Sequence, residues 1–272
     1  MICLCPAATI PSTGGQGVDS VIWVVILGAG LAGFVQGLSG FGFGLVAVSV
    51  WAWVLEPRLA AALAVFGALT GQLIAAAAVR RAFDPRLLGP FVLGGLCGLP
   101  LGVLLLPHLD MLWFRTLLGT LLVLWCPAML MARHLPRITR GGVLADAAVG
   151  LGGGVLAGLG GFTGTLPTLW GTLRGFDKHA LRTVVQNFNL AMLLAAMAAY
   201  LATGMVTRDM LPHFAVVAPA LLLPALLGTR VYNGLGETRF RQIVLGLLTV
   251  SGLALLASSL PRLLTGLAAP RL

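Results

Sequence analysis

Three glycines, Gly28, Gly30 and Gly33, stand in the spacing G-x-G-x-x-G within "VIWVVILGAGLAGFVQGLSGFGFG" (21–44). After a β-strand, that spacing makes a tight turn over the pyrophosphate of a dinucleotide. The chemistry also needs further strands and amphipathic helices. Downstream of Gly44 come "LVAVSVWAWVL" and then "LAAALAVFGALTGQLIAAAAV", apolar nearly throughout, and they argue against that reading. No H-E-x-x-H, G-x-S-x-G or P-loop is present, and Cys3, Cys5, Cys97 and Cys126 form no zinc or disulfide framework. No catalytic set, metal site or cofactor is expected, so the chain does not read as an enzyme.

Two constellations retain chemical meaning. The first is a pair of glycine-rich tips, Ser39–Gly42 and Gly160–Gly164. A helix that restarts after such a tip presents free N–H groups and a positive dipole end, which together favour an anion. Ser39, Thr163 and Thr165 add hydroxyls beside those groups, and Gln36 precedes the first tip. The second is "RTVVQNFN" (182–189), where Thr183 and Asn187 are spaced i, i+4 and Gln186 and Asn189 are spaced i, i+3. On a helix these residues form a polar stripe, suited to a cavity wall or to hydrogen bonds between helices. Arg182, one turn earlier, either snorkels to the interface or attracts the anion. The expected substrate-binding set is therefore Gln36, Ser39, Gly40, Phe41, Gly42, Gly160, Gly161, Phe162, Thr163, Thr165, Gln186, Asn187 and Asn189, with Arg182 as a candidate for anion attraction. Gly33, Gly37, Gly154 and Gly158 suit small-xxx-small helix packing instead.

Such sites require particular elements around them. Of the 272 residues, 58% are hydrophobic and only 9% charged, with a mean hydropathy of +1.00. Soluble domains carry roughly 25% charged residues. A chain this poor in charge can face lipid, and apolar stretches near the ~20 residues needed to span hydrocarbon recur along it. The net charge of +9 lies in short loops, where it reports orientation and not nucleic-acid binding.

The chain also repeats itself. Shifted by 121 positions, "GFVQGLSGFGFGL" (33–45) lies over "GVLAGLGGFTGTL" (154–166) with six identities in thirteen, and Glu56 lies over Asp177. Each half reads as a hairpin closed by a G-L-x-G-F tip, with arms at 21–37 and 41–55 or 143–159 and 162–173, followed by three spans. If each tip-containing segment crossed the membrane once, nine positive residues would lie on one face and eight on the other. If each is a hairpin returning to its own side, one face collects Arg80, Arg81, Arg86, Arg133, Arg137, Arg140, Arg174, Lys178, Arg182, Arg230, Arg239 and Arg241. The other keeps Arg58, Arg115, Arg208, Arg262 and Arg271. That imbalance is the positive-inside pattern and places both termini outside the cytoplasm. An odd number of crossings per half inverts the second half relative to the first, an arrangement that puts substrate near the midplane. Arg115 and Arg241 read as interface anchors. Asp146 reads as a helix-end or hydrogen-bonding residue in preference to a proton carrier, and His213 as structural.

The duplicated G-L-x-G-F tip, with "GFTGTLPTLWG" (161–171) adding a turn and x-P-x-L, resembles the sulfite exporter TauE/SafE family, also called toluene sulfonate uptake permeases. The resemblance covers the chain from about Ser20 onward. It implies a secondary transporter in a bacterial inner membrane, an exporter of a small sulfur-containing oxyanion such as sulfite or an organosulfonate. A carrier of another small metabolite and a non-transporting membrane scaffold are the alternatives. The expected fold is all-α integral membrane, with two inverted pseudo-repeats of a glycine-tipped hairpin plus three transmembrane helices. The expected segments are an extracytoplasmic 1–20, a first repeat 21–132, a basic cytoplasmic linker 133–142, a second repeat 143–260 and a tail 261–272. Expected partners are a small anion, the lipid bilayer and a second copy in a homo-oligomer, but no nucleic acid.

Overall fold

The computed structural model describes residues 16–78, 83–132, 138, 141–232 and 237–268. The expectations for Cys3, Cys5, Arg80, Arg81, Arg133, Arg137, Arg140 and Arg271 lie outside the described residues, as do those for the side chains of Lys178, Arg239, Arg241 and Arg262. Every regular element among the described residues is helical. In chain order they are α1 (Gln16–Ser39), α2 (Phe43–Trp51), α3 (Pro57–Ala78), α4 (Pro85–Leu105), α5 (Met111–Met131), α6 (Gly142–Gly160), α7 (Thr165–Leu173), α8 (Lys178–Ala202), α9 (Leu211–Tyr232) and α10 (Glu237–Ala268). Eight of them contain segments long and apolar enough to cross a membrane; α2 and α7 are the exceptions. The chain is thus an all-helical, multi-pass membrane protein.

Local signals set the boundaries. Asp84 caps α4 by accepting from the Arg86 and Leu87 amides, with Pro85 at the first helical position. Asp110 accepts from Trp113 N to start α5, and Asp177 accepts from Ala180 N to start α8. These are the N-cap and N1 preferences of any helix. The hairpin arms differ from the sequence expectation. The arms read at 21–37 and 143–159 lengthen to α1 and α6, of 24 and 19 residues, while those read at 41–55 and 162–173 shorten to α2 and α7, of nine each. Nine residues rise only ~13.5 Å, less than half the hydrocarbon core. Each hairpin therefore pairs a full-length helix with a half-length one.

Glycine faces hold the long helices together. A Cβ on Gly94, Gly98 or Gly102 of α4 would stand 2.0, 2.0 or 2.1 Å from the carbonyl oxygen of Ala147, Leu151 or Val155 of α6. From the other side, Gly150 and Gly154 meet the Phe91 and Gly95 carbonyls just as closely, and Gly158 meets Val103 N. Backbones approach this far only where small residues recur every fourth position. The register rises together in both helices, so α4 and α6 run parallel. Likewise Gly33 and Gly37 of α1 face the Leu221 and Ala225 carbonyls of α9, again in parallel. All four glycines assigned to packing are thus at helix–helix contacts. Along α5 and α10 the register is opposed, Gly119 meeting Gly252 and Leu256.

The contacts between elements come in matched pairs. α1 packs on α9 as α6 packs on α4; α3 packs on α9 as α8 packs on α4; α2 meets α10 as α7 meets α5. α3 packs on α8, and α5 on α10. α3 lies deepest, with Ala60 to Val65 wholly buried, while Leu93, Leu101, Leu104, Leu223, Leu247 and Val250 are exposed, as a lipid-facing surface requires.

Candidate functional site

The first tip forms because α1 cannot continue past Ser39. Gly40 turns into the left-handed region at φ 76°, and its N–H closes the helix on Gln36 O at 2.7 Å. That backbone conformation is costly for any residue with a Cβ. The Ser39 hydroxyl lies 2.8 Å from Val35 O, within reach of Phe41 O, and accepts from Phe41 N. Gly42 then opens α2 with no side-chain cap. The amides of Phe43, Gly44 and Leu45 have no intrahelical partner, because the ladder begins with Val46 N to Gly42 O.

The second tip is built by a related route. Gly161 takes φ 71° as the C-cap of α6, its N–H bonding to Ala157 O and the Phe162 N–H to Leu156 O. α7 restarts at Thr165, whose hydroxyl donates to Phe162 O at 2.8 Å; the Thr168 hydroxyl donates to Gly164 O. Pro167 in the first turn of α7 carries no N–H, so this helix start offers fewer amides than that of α2. One carbonyl at each tip accepts from a side chain. Gln72 Nε2 donates to Gly40 O at 2.6 Å and the Tyr200 hydroxyl to Gly158 O at 2.8 Å.

The tips meet. A Cβ on Gly44 would stand 2.8 and 2.9 Å from the carbonyl oxygens of Gly160 and Gly161, so the start of α2 lies on the end of α6. Phe41, Gly42, Leu45, Gly161, Phe162, Gly164 and Thr165 line a small cleft between them. Trp125 of α5 bridges the two tips: its ring stands edge-on to Phe41 at 6.4 Å, and its Nε1 donates to Thr165 O at 2.7 Å.

The α8 amides divide between the tips. Gln186 Nε2 lies 3.1 Å from the Cβ position of Gly40, and the amide of Asn189 lies 3.2 Å from that of Gly164. Asn189 is 1% exposed, and its Oδ1 has no hydrogen-bond partner. Thr163 is buried, Asn187 half-buried, and Arg182 exposed one turn before Gln186. Gln36 is buried against Gly71 and donates from Nε2 to Ala68 O at 2.9 Å, with Oε1 unpartnered. The expected set omitted Gln72, Trp125 and Tyr200. Gln72 was visible as a polar residue in the α3 span; Trp125 and Tyr200 carry no signal that separates them from core aromatics.

Away from the tips, Asp146 at the start of α6 bonds through both carboxylate oxygens to Arg174 at 2.7 Å and accepts from Trp170 Nε1 at 2.7 Å. This clamp closes the open end of the α6–α7 hairpin, the hydrogen-bonding role expected of it. At the corresponding end of the first hairpin, Arg115 donates to Ala52 O at 2.7 Å and Trp53 O at 3.1 Å and lies over the Trp53 ring. It therefore also holds the end of α2, beyond anchoring its own helix. Cys126 is buried and Cys97 exposed.

The family model described as Sulfite exporter TauE/SafE matches residues 25–255. Neither a curated protein nor a solved structure matches the chain.

Proposed function

Because the chain belongs to the sulfite exporter TauE/SafE family, and is accordingly a membrane transporter and not an enzyme, we propose that it exports sulfite or a related small sulfur-containing oxyanion. In this reading the anion binds between the two glycine tips, held by the open N–H ends of α2 and α7. The observation that carries it is the contact of Gly44 with Gly160 and Gly161, which joins two half-sites from opposite halves of the chain into one pocket. A midplane position is supported by the tips' neighbours, Val65, Ala68 and Gln72 of α3 and Gln186 and Leu193 of α8, all interior to their spans.

The repeats 21–132 and 143–260 insert in opposite orientations in this account. Parallel packing of α1 with α9 and of α4 with α6 supports it, since each pair joins a hairpin arm to the fourth helix of the other half. The termini face the periplasm and the linker 133–142 faces the cytoplasm of a bacterial inner membrane. Purified protein in liposomes, offered labelled sulfite, sulfate and methanesulfonate, tests the function. Sulfite flux is expected in the wild type and is expected to vanish in Gly161→Val, whose side chain meets a left-handed backbone and Val65 at 3.4 Å. Normal flux in a folded Gly161→Val protein, or no oxyanion flux in the wild type, would contradict the proposal.

A further inference from the structure

The geometry points to a ligand that carries its own hydroxyl: a singly protonated oxyanion such as hydrogensulfite, in preference to a fully deprotonated oxyanion or a sulfonate. The inference rests on the proposed binding of the anion at the tips and specifies which oxyanions the pocket takes. Its basis is Asn189, which is 1% exposed, with Oδ1 unpartnered. A buried amide oxygen without a donor is costly, and such groups normally find one. The site that would supply it is adjacent, because Oδ1 and Nδ2 are both 3.2 Å from the Cβ position of Gly164, a residue of the pocket wall. Glycine at 164 places no side chain between that edge of the amide and the pocket wall.

An amide edge presents one acceptor beside one donor, and exchanging O for N by a flip leaves that pattern intact. Its complement is an oxo group beside a hydroxyl, as on a protonated oxyacid. A sulfonate offers three acceptors and no donor, so it leaves the amide oxygen unsatisfied. The neighbouring hydroxyls do not fill the gap, since Thr165 and Thr168 donate to the Phe162 and Gly164 carbonyls. The open amides at the start of α2, with that of Leu166 in α7, serve the charge of the ligand, and Asn189 reads its proton.

Hydrogen methylphosphonate and methanesulfonate separate the two roles, being monoanions of similar shape that differ by one hydroxyl. Their affinities for purified protein are to be measured beside that of sulfite, slightly on the acid side of neutrality. Sulfite and hydrogen methylphosphonate are expected to bind about tenfold more tightly than methanesulfonate, a difference of about 1.4 kcal/mol. In Asn189→Leu the difference is expected to disappear. Equal binding of the two probes by the wild type overturns the inference while leaving the tip site standing, and this arm needs no variant to fold. Retention of the preference in Asn189→Leu also overturns it. If none of the three anions binds the wild type, the tip site itself falls, and the inference with it.

Discussion

Gln186 and Asn189 lie one turn apart on α8, yet they serve different tips, Gln186 facing Gly40 and Asn189 facing Gly164. The i, i+3 spacing announced a polar stripe, and the stripe is there. What it touches depended on two loops from distant parts of the chain, which periodicity does not encode. Asp146 is the opposite case, a residue whose role was legible from its position near a helix end in a chain with few acids. Held by Arg174 and Trp170, it is committed to closing a hairpin and is poorly placed to carry protons. Asp146→Asn removes the charge of that pair but keeps an acceptor for Trp170. The variant is expected to lose about 2 kcal/mol of stability, the scale of a hydrogen bond to a charged group. It should still conduct anion current without a proton gradient, because the inside-negative potential drives an anion outward by about 2.3 kcal/mol per charge per 100 mV. Melting and current recordings on the purified variant check both parts; strict dependence of the wild-type current on a proton gradient would contradict the second.

At the scale of elements, the glycine spacing carried most of the architecture. Gly33 and Gly37 of α1, and Gly154 and Gly158 of α6, lie at the interfaces that their four-residue spacing suggests. Their partners, Gly94, Gly98 and Gly102 of α4, share that spacing, but it cannot say which helix will face them. The lengths of the hairpin arms were not legible, because apolar sequence continues past Trp51 through Leu55 while the helix stops. The sidedness of the hairpins is testable in a protein freed of native cysteines. Single cysteines at Trp53 and His108 are expected to react with an impermeant thiol reagent from the periplasm. Those at Phe83 and His179 should react only after permeabilisation; all four positions are exposed. Labelling of His179→Cys from the periplasm would contradict the opposed hairpins.

For the whole molecule, the matched contacts interlock the two halves of the chain. Each hairpin docks on the opposite half, α1 on α9 and α6 on α4, so neither half completes its packing alone. The same exchange carries both tips to one place between α3 and α8. Thirteen aligned residues led to the expectation of a repeat, but the meeting of Gly44 with Gly160 and Gly161 comes from tertiary packing and not from any local signal. The claim that these tips make a single oxyanion site is tested most directly by equilibrium binding of labelled sulfite to purified protein. The comparison is between the wild type, Gly44→Val and Gly246→Val. A side chain at Gly44 would press on two carbonyl oxygens at 2.8 and 2.9 Å, whereas one at Gly246 on α10 meets nothing within 4 Å. Saturable binding is expected in the wild type and in Gly246→Val, with none in a Gly44→Val protein that still melts cooperatively. Unchanged sulfite affinity in folded Gly44→Val would contradict the account.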